Sequence, residues 1–336
     1  FGRLEEHLAR GNSCAVGGLW GSGCAMLLAA LIDRCPSVVL AVTAGSEEAD
    51  DLANDINLFR PDCAITFPIE ESLPSEESAI HQTITGQRYE ILRRLLFHGS
   101  GQGGQAPRVI VAPVHALMQP VPTPGELQSD VLTLRPGDER HIEDIARWLV
   151  ERGFDRQPMV EMHGEFSVRG GILDIFPPVG DDPVRIEFFG DEAESIRLFD
   201  MRSQRSIREV PSALLLPARE AFLDHGRWDR AISLLPPEHP LASRMMISDS
   251  LPGLEHMLPL FYEELGTLPD YLASIGTLII VEPERVTESL GEAWNRQTAG
   301  FPDSLPFGPD DQFSRPAETM RRLGACDRVV EAALMP

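Results

Sequence analysis

The feature that most constrains the fold is an alternation of short apolar runs with helical segments between residues 13 and 118. The runs at 15–18, 37–43 and 108–112 have the composition of buried strands, and the segments at 24–34, 47–59 and 88–97 have helical spacing. Such alternation is typical of βαβ units. It predicts a parallel sheet covered by helices.

The character of the sequence changes at Pro120, Pro122 and Pro124, which stiffen the chain and stop a helix. Beyond them we predict one amphipathic helix at 138–152 and then strands joined by short turns up to about residue 200, which indicate an antiparallel sheet. Helical character returns later, with a buried strand at 277–281 and a helix at 287–296. We therefore predict an α/β domain in two segments, 1–119 and 213–336, with a smaller α+β domain, 120–212, inserted between them.

Charge and residue usage exclude several kinds of chemistry. Asp and Glu together number 52 and the basic residues 29, which gives a formal net charge of −23. This charge disfavours sequence-independent binding to the phosphates of nucleic acids. Every basic residue is Arg, so chemistry that needs a lysine amine is absent. The five cysteines are scattered without a Cys-x-x-Cys pair, which favours a reducing cytoplasm, and no apolar stretch is long enough to span a membrane. The chain begins at Phe1, and we expect an excerpt of a longer protein.

One segment resembles a phosphate-binding loop of the form G-x-x-x-x-G-K-[ST] between a strand and a helix. Its glycine frame is Gly18, Gly21 and Gly23, but Cys24 stands at the lysine position and Ala25 at the Ser/Thr position that would hold magnesium. A thiol and a methyl group supply neither a cation for phosphate nor a metal ligand. We therefore expect a vestigial phosphate loop without ATP hydrolysis.

Other catalytic centres are not indicated by the sequence. Glu282, after the apolar run 278–281, is followed by Pro283 and lacks a paired carboxylate, so we interpret it as the end of a buried strand. His163 lies beside Gly164 without a nearby second ligand, which favours a turn residue over a metal ligand. We predict no catalytic residue, no metal site and no cofactor for this chain.

The middle unit is the most informative. In the segment 184–189, period-two alternation places Val184, Ile186 and Phe188 on a core face, and leaves Phe189 on the polar face with Arg185. In the same way Arg169 falls on the polar face of the preceding strand pair. An exposed Phe beside arginines is typical of a binding hot spot. The alternative is that Phe189 packs under the helix at 138–152, and alternation alone leaves both interpretations open.

The same region resembles a known family. The matching blocks are Gly164-Glu-Phe-x-Val-Arg-Gly170, Leu173-Asp-Ile-Phe-Pro177, Arg185-Ile-Glu-Phe-Phe189, Asp191-Glu192, Ser195-Ile-Arg197 and Ser203-Gln-Arg-Ser206. They are similar to the N-terminal region of the bacterial transcription-repair coupling factors (Mfd) and, more distantly, to the excision-repair protein UvrB. The likeness extends over most of the chain and is thinnest beyond residue 303.

The resemblance implies a UvrB-like module whose inserted domain binds the repair protein UvrA, with Arg169, Arg185 and Phe189 at the family positions for that contact. It implies a docking role rather than catalysis. ATP and Mg²⁺, contacts with RNA polymerase and DNA, and a C-terminal domain that masks the UvrA-binding face would belong to modules outside this chain. The stretch 70–88 lacks the tyrosines of the DNA-threading hairpin of UvrB, which favours the coupling factors.

Two alternatives remain at this point. One is a UvrB-type ATPase with an atypical nucleotide site. The other is direct nucleic-acid binding through a stripe of arginines, which would show a steep salt dependence.

Overall fold

The computed structural model describes residues 13–35, 37–70, 82–97, 107–178, 182–218, 225–247, 254–272, 277–324, 326 and 329–333. The loop at 99–105 and most of the stretch 70–81 lie outside these residues.

The regular elements are numbered in chain order. The strands are β1 (Cys14–Val16), β2 (Val39–Thr43), β3 (Ala64–Thr66), β4 (Val109–Pro113), β5 (Val121–Pro122), β6 (Leu132–Leu134), β7 (Asp155–Arg156), β8 (Glu165–Arg169), β9 (Ile172–Ile175), β10 (Val184–Phe189), β11 (Glu192–Phe199), β12 (Ser206–Glu209), β13 (Ala213–Leu215), β14 (Leu265–Gly266), β15 (Thr277–Val281) and β16 (Val329–Ala332). The α-helices are α1 (Gly23–Leu31), α2 (Ser46–Phe59), α3 (Gln82–Leu96), α4 (Pro124–Ser129), α5 (Ile142–Glu151), α6 (His225–Leu234), α7 (Pro240–Met245), α8 (Leu258–Phe261), α9 (Pro283–Thr298), α10 (Pro309–Gln312) and α11 (Pro316–Gly324).

A parallel sheet in the order β1-β16-β15-β2-β4-β3 forms the centre of the first unit, which we call the frame. Its strands come from both ends of the chain, and the residues between β4 and β15 leave the sheet and return to it. This arrangement is the parallel sheet that the alternating pattern predicts.

Both faces of the frame sheet are buried. In β2, Leu40 and Val42 belong to one apolar cluster, and Val39 and Ala41 belong to a second cluster on the opposite face. Helices α1 and α2 cover the second face, where α2 contributes apolar residues at helical spacing: Ala49, Leu52, Ala53 and Ile56. Strands buried on both faces read as unbroken apolar runs, which explains the sequences of β2, β4 and β15.

The second unit, which we call the insert, is built on a sheet in the order β12-β11-β10-β9-β8-β7. Its neighbouring strands run antiparallel except β7 and β8. One face packs against α5 through Ile145, Ala146 and Leu149 in a third apolar cluster that spans residues 132–218. The opposite face carries the polar side chains that alternation assigns to it.

The α/β class with one parallel and one antiparallel sheet is confirmed. The boundaries at 119/120 and 212/213 stay predictions, and β13, which follows the second of them, pairs with β6 and packs in the cluster of the insert. Among the helices of the described residues, none is long and apolar enough to cross a membrane.

A buried ionic junction joins the insert to the frame. Asp130, only 2% exposed, lies between Arg152 at the end of α5 and Arg227 in α6, at 2.7 and 3.0 Å from their guanidinium nitrogens. Burial raises the pKa of Asp130, and the two arginines oppose that effect. The junction connects three segments of the chain at one carboxylate.

Candidate functional site

The loop predicted to be a vestigial phosphate loop lies between β1 and α1. Gly18 and Gly21 have φ angles of 77° and 52°, a left-handed conformation that favours glycine. Cys24 and Ala25 are buried in the cluster beneath α1 rather than exposed toward the loop opening. The strand–loop–helix context is present, and its descent from a nucleotide site stays a prediction.

The electrostatics of this loop are unlike those of a phosphate site. Burial, and then the negative charge of Glu282, raise the pKa of the Cys24 thiol to about 11. Glu282 directly follows β15, as the sequence indicates, and is the N-cap residue of α9, with a left-handed φ of 55°. A carboxylate near a neutral thiol repels phosphate, whereas a working loop places a lysine there.

The insert presents a different surface at the hairpin of β10 and β11. Phe189 is 80% exposed at the end of β10, so the structure excludes the alternative that it packs under α5. Backbone hydrogen bonds from Arg140 to Asp191 (2.7 Å) and from Ala193 to Asp138 (2.9 Å) brace the hairpin. The Phe189 ring is therefore exposed to solvent at a hairpin whose backbone is hydrogen-bonded to the segment 138–140.

Gly171 supports the strand that carries Phe189. The Phe188 N–H donates to the Gly171 carbonyl at 2.7 Å, and a Cβ built on Gly171 would lie 2.7 Å from the Phe188 carbonyl oxygen. Any larger residue at 171 must therefore displace the backbone next to Phe189.

The two predicted arginines meet at Asp174, a carboxylate that is 1% exposed. Arg185 donates from Nε and Nη2 to the two carboxylate oxygens at 2.6 and 2.8 Å, and Arg169 donates from Nη2 at 2.6 Å. Arg185 also donates to the Gln204 carbonyl at 3.1 Å and lies 4.5 Å from the centre of the Phe199 ring. The hydrogen bond with Asp174 raises the pKa of Arg185. Asp174 in β9, Phe199 in β11 and Gln204 in the turn before β12 therefore hold the guanidinium groups that β8 and β10 carry.

A row of directly opposite residues crosses this face from β8 to β12: Ser167, Asp174, Arg185, Arg197 and Glu209. Arg197 contacts Glu187 at 3.4 Å and Glu209 at 3.2 Å. Each of the three arginines on the face thus contacts a carboxylate. We call the polar face around Phe189, Arg169 and Arg185 the docking face.

His163, the remaining candidate ligand, packs within the protein. The Nδ1 atom of His163 lies 2.7 Å from the Pro177 carbonyl, and its ring contacts Phe176 at 3.9 Å. Within the described ranges no group of His, Cys, Asp or Glu side chains is arranged to hold a metal ion.

Of the three residues that the sequence placed on the exposed face, Phe189 and Arg169 are exposed, whereas Arg185 is only 13% exposed. Sequence reasoning missed Asp174. A signal was present, since Asp174 stands between Leu173 and Ile175 in a strand, and an acid in such a run needs a cationic partner when it is buried.

Comparison with known proteins assigns the chain to a family. Residues 132–221 match the family model of the UvrB interaction domain. The transcription-repair-coupling factor of Mycobacterium tuberculosis (strain CDC 1551 / Oshkosh) is 36% identical over 263 residues, 74% of this chain. The chain belongs to the transcription-repair coupling factor family.

Other coupling factors match a similar extent of the chain. That of Escherichia coli (strain K12) is 30% identical over 76% of the chain, and that of Bacillus subtilis (strain 168) is 28% identical over 86%. The match covers 21% of the mycobacterial relative, 22% of the E. coli relative and 26% of the B. subtilis relative. The chain therefore spans about a quarter or less of the length of these coupling factors.

Proposed function

We propose that this chain is the UvrA-docking module of a transcription-repair coupling factor and that it has no catalytic activity of its own. The observation that carries the proposal is the exposed Phe189, which lies on the same polar face as Arg169 and Arg185 in a UvrB interaction domain.

The chemistry of the docking face suits a protein partner. Phe189 offers apolar area that is exposed to water in this chain, and burying such a side chain is worth about 2 kcal/mol or more. Arg169 is 46% exposed and uses one nitrogen on Asp174, so its Nε and Nη1 atoms have no partner within the described part of the chain. The matching surface of UvrA would then combine an apolar pocket with hydrogen-bond acceptors at its rim.

A nucleotide-dependent activity at the vestigial loop is the second candidate, a UvrB-type ATPase with an atypical site. The buried thiol of Cys24 and the nearby charge of Glu282 argue against it, because neither neutralises phosphate. We therefore propose that ATP and Mg²⁺ act only in other modules of the longer protein.

Direct binding of DNA through the arginines is disfavoured by their pairing. Arg169, Arg185 and Arg197 contact Asp174, Glu187 and Glu209, so the face is close to neutral. Phosphate binding depends on uncompensated positive charge.

The wider role rests on the family. We propose that the longer protein contacts stalled RNA polymerase, moves along DNA by ATP hydrolysis and covers the docking face with a C-terminal domain until it is engaged. This chain would then bring excision repair to the stalled polymerase through UvrA.

Calorimetric titration of the chain with purified UvrA tests the docking role. We expect saturable binding to UvrA, no heat with Mg²⁺–ATP, and negligible affinity for DNA at low salt. Failure to bind UvrA contradicts the docking role. Mg²⁺-dependent ATP binding at micromolar affinity supports the ATPase instead, and DNA binding that falls steeply with salt supports the arginine stripe.

A further inference from the structure

We propose that Asp174 is a positioning residue of the docking face: one buried carboxylate bridges β8 and β10 and sets the direction in which Arg169 is presented to the partner. The inference rests on the proposed docking function and adds a residue that touches no partner itself.

The first step concerns Arg185. All three of its guanidinium nitrogens donate to protein oxygens, two to Asp174 and one to the Gln204 carbonyl, and the side chain is only 13% exposed. The Phe199 ring lies against the same group at 4.5 Å. Arg185 is therefore fixed on every side, and it holds the Asp174 carboxylate in one orientation.

The second step concerns Arg169. It stands on β8, two strands from Arg185, and donates to the Oδ2 atom of Asp174 that Arg185 Nη2 also contacts. This is the one bond that ties the Arg169 guanidinium down within the described residues. A long arginine side chain loses much rotamer entropy when it is ordered on binding, and Asp174 removes part of that loss in advance.

The third step concerns charge. Two guanidinium groups on one small face repel each other, and the single negative charge of Asp174 between them offsets that repulsion. Asp174 is buried, so it does not present a carboxylate to the partner. Arg169, Arg185 and Asp174 together therefore carry one net positive charge, which reaches the surface through Arg169. Arg197, Glu187 and Glu209 bring the whole face close to neutral.

The test is a double-mutant cycle in UvrA affinity with Asp174→Asn, Arg169→Ala and the double variant, each checked for folding. The matched control is Asp144→Asn on α5 of the insert, where an exposed carboxylate pairs with Arg147 at 3.1 Å. We expect Arg169→Ala and Asp174→Asn to weaken binding about tenfold each, and the double variant to bind no more weakly than the weaker single variant. The control should leave the affinity unchanged. Fully additive losses, or wild-type affinity in Asp174→Asn, overturn the inference.

A second measurement does not depend on UvrA or on the folding of a variant. Side-chain ¹⁵N relaxation of the wild-type chain should show the Arg169 and Arg185 Nε–H groups to be restricted and that of the exposed Arg147 to be mobile. If Arg169 is as mobile as Arg147, the positioning role is wrong. If the wild-type chain does not bind UvrA, the docking function fails and the use of Asp174 in docking fails with it. The relaxation data still decide whether Arg169 and Arg185 are ordered in the free chain.

Discussion

Removing the Asp130 carboxylate should loosen the junction between the insert and the frame. Asp130 is 2% exposed and contacts Arg152 at 2.7 Å and Arg227 at 3.0 Å, and both arginine side chains are themselves largely buried. Asp130→Ala leaves two buried guanidinium groups without their shared partner. Breaking a buried pair in this way costs about 3–5 kcal/mol.

The lower end of that range applies here. Arg227 keeps a contact with Glu126, and Arg152 lies 3.8 Å from Glu151, so neither arginine loses every carboxylate. We therefore expect Asp130→Ala to lower the free energy of unfolding by about 3 kcal/mol. Asp144→Ala, which removes an exposed pair with Arg147, should cost under about 1 kcal/mol.

Urea unfolding followed by circular dichroism measures both variants against the wild-type chain. A change below about 1 kcal/mol in Asp130→Ala, equal to that of the exposed control, would refute the reasoning that the junction is a buried ionic link.

Further predictions concern the site, the pH dependence and the loop. Gly171→Ala should destabilise the chain by about 1–3 kcal/mol and weaken UvrA binding, because its Cβ would press on the Phe188 carbonyl; unchanged unfolding and affinity would contradict this. Burial, and then the charge of Arg296, lower the pKa of His115, so the unfolded chain takes up that proton first as the pH falls below about 6.5. The stability contributed by neutral His115 is therefore fully present above that pH and is lost below it. Measured by urea unfolding, the free energy of unfolding of His115→Gln should fall less than that of the wild-type chain between pH 7.5 and 5.5. Equal falls in the two proteins would contradict this role of His115. Titration with Mg²⁺–ATP should leave the exposed Trp20 fluorescence unchanged, and a saturable change would contradict the vestigial assignment of the loop.

Sequence reasoning recovered the elements whose signal is local. Strands β2, β4 and β15 are runs of five residues buried on both faces, so their composition alone identifies them. It missed β16, which carries a glutamate in four residues and pairs with β1 about three hundred residues earlier. Strands this short are decided by their partners rather than by their own composition.

The docking face, like β16, depends on contacts that the local sequence does not reveal. Alternation gives the face on which a side chain lies but not what covers that face. It therefore placed Phe189 correctly on the polar side without deciding its exposure. Asp174 lies on the same polar side and is nevertheless buried, because Arg185 and Arg169 close over it. Only the register of β8, β9 and β10 brings these three residues together.

The most direct test of the docking function compares UvrA binding by the wild-type chain, Phe189→Ala and the control Met162→Ala in one calorimetric series. Met162 is also an exposed apolar residue of the insert, but it precedes β8 at the opposite end of the strand from Gly171. We predict that Phe189→Ala keeps wild-type stability and weakens UvrA binding by about 2 kcal/mol or more, roughly thirtyfold, while Met162→Ala binds as wild type does. Equal affinities of Phe189→Ala and wild type would contradict the assignment of this face to UvrA.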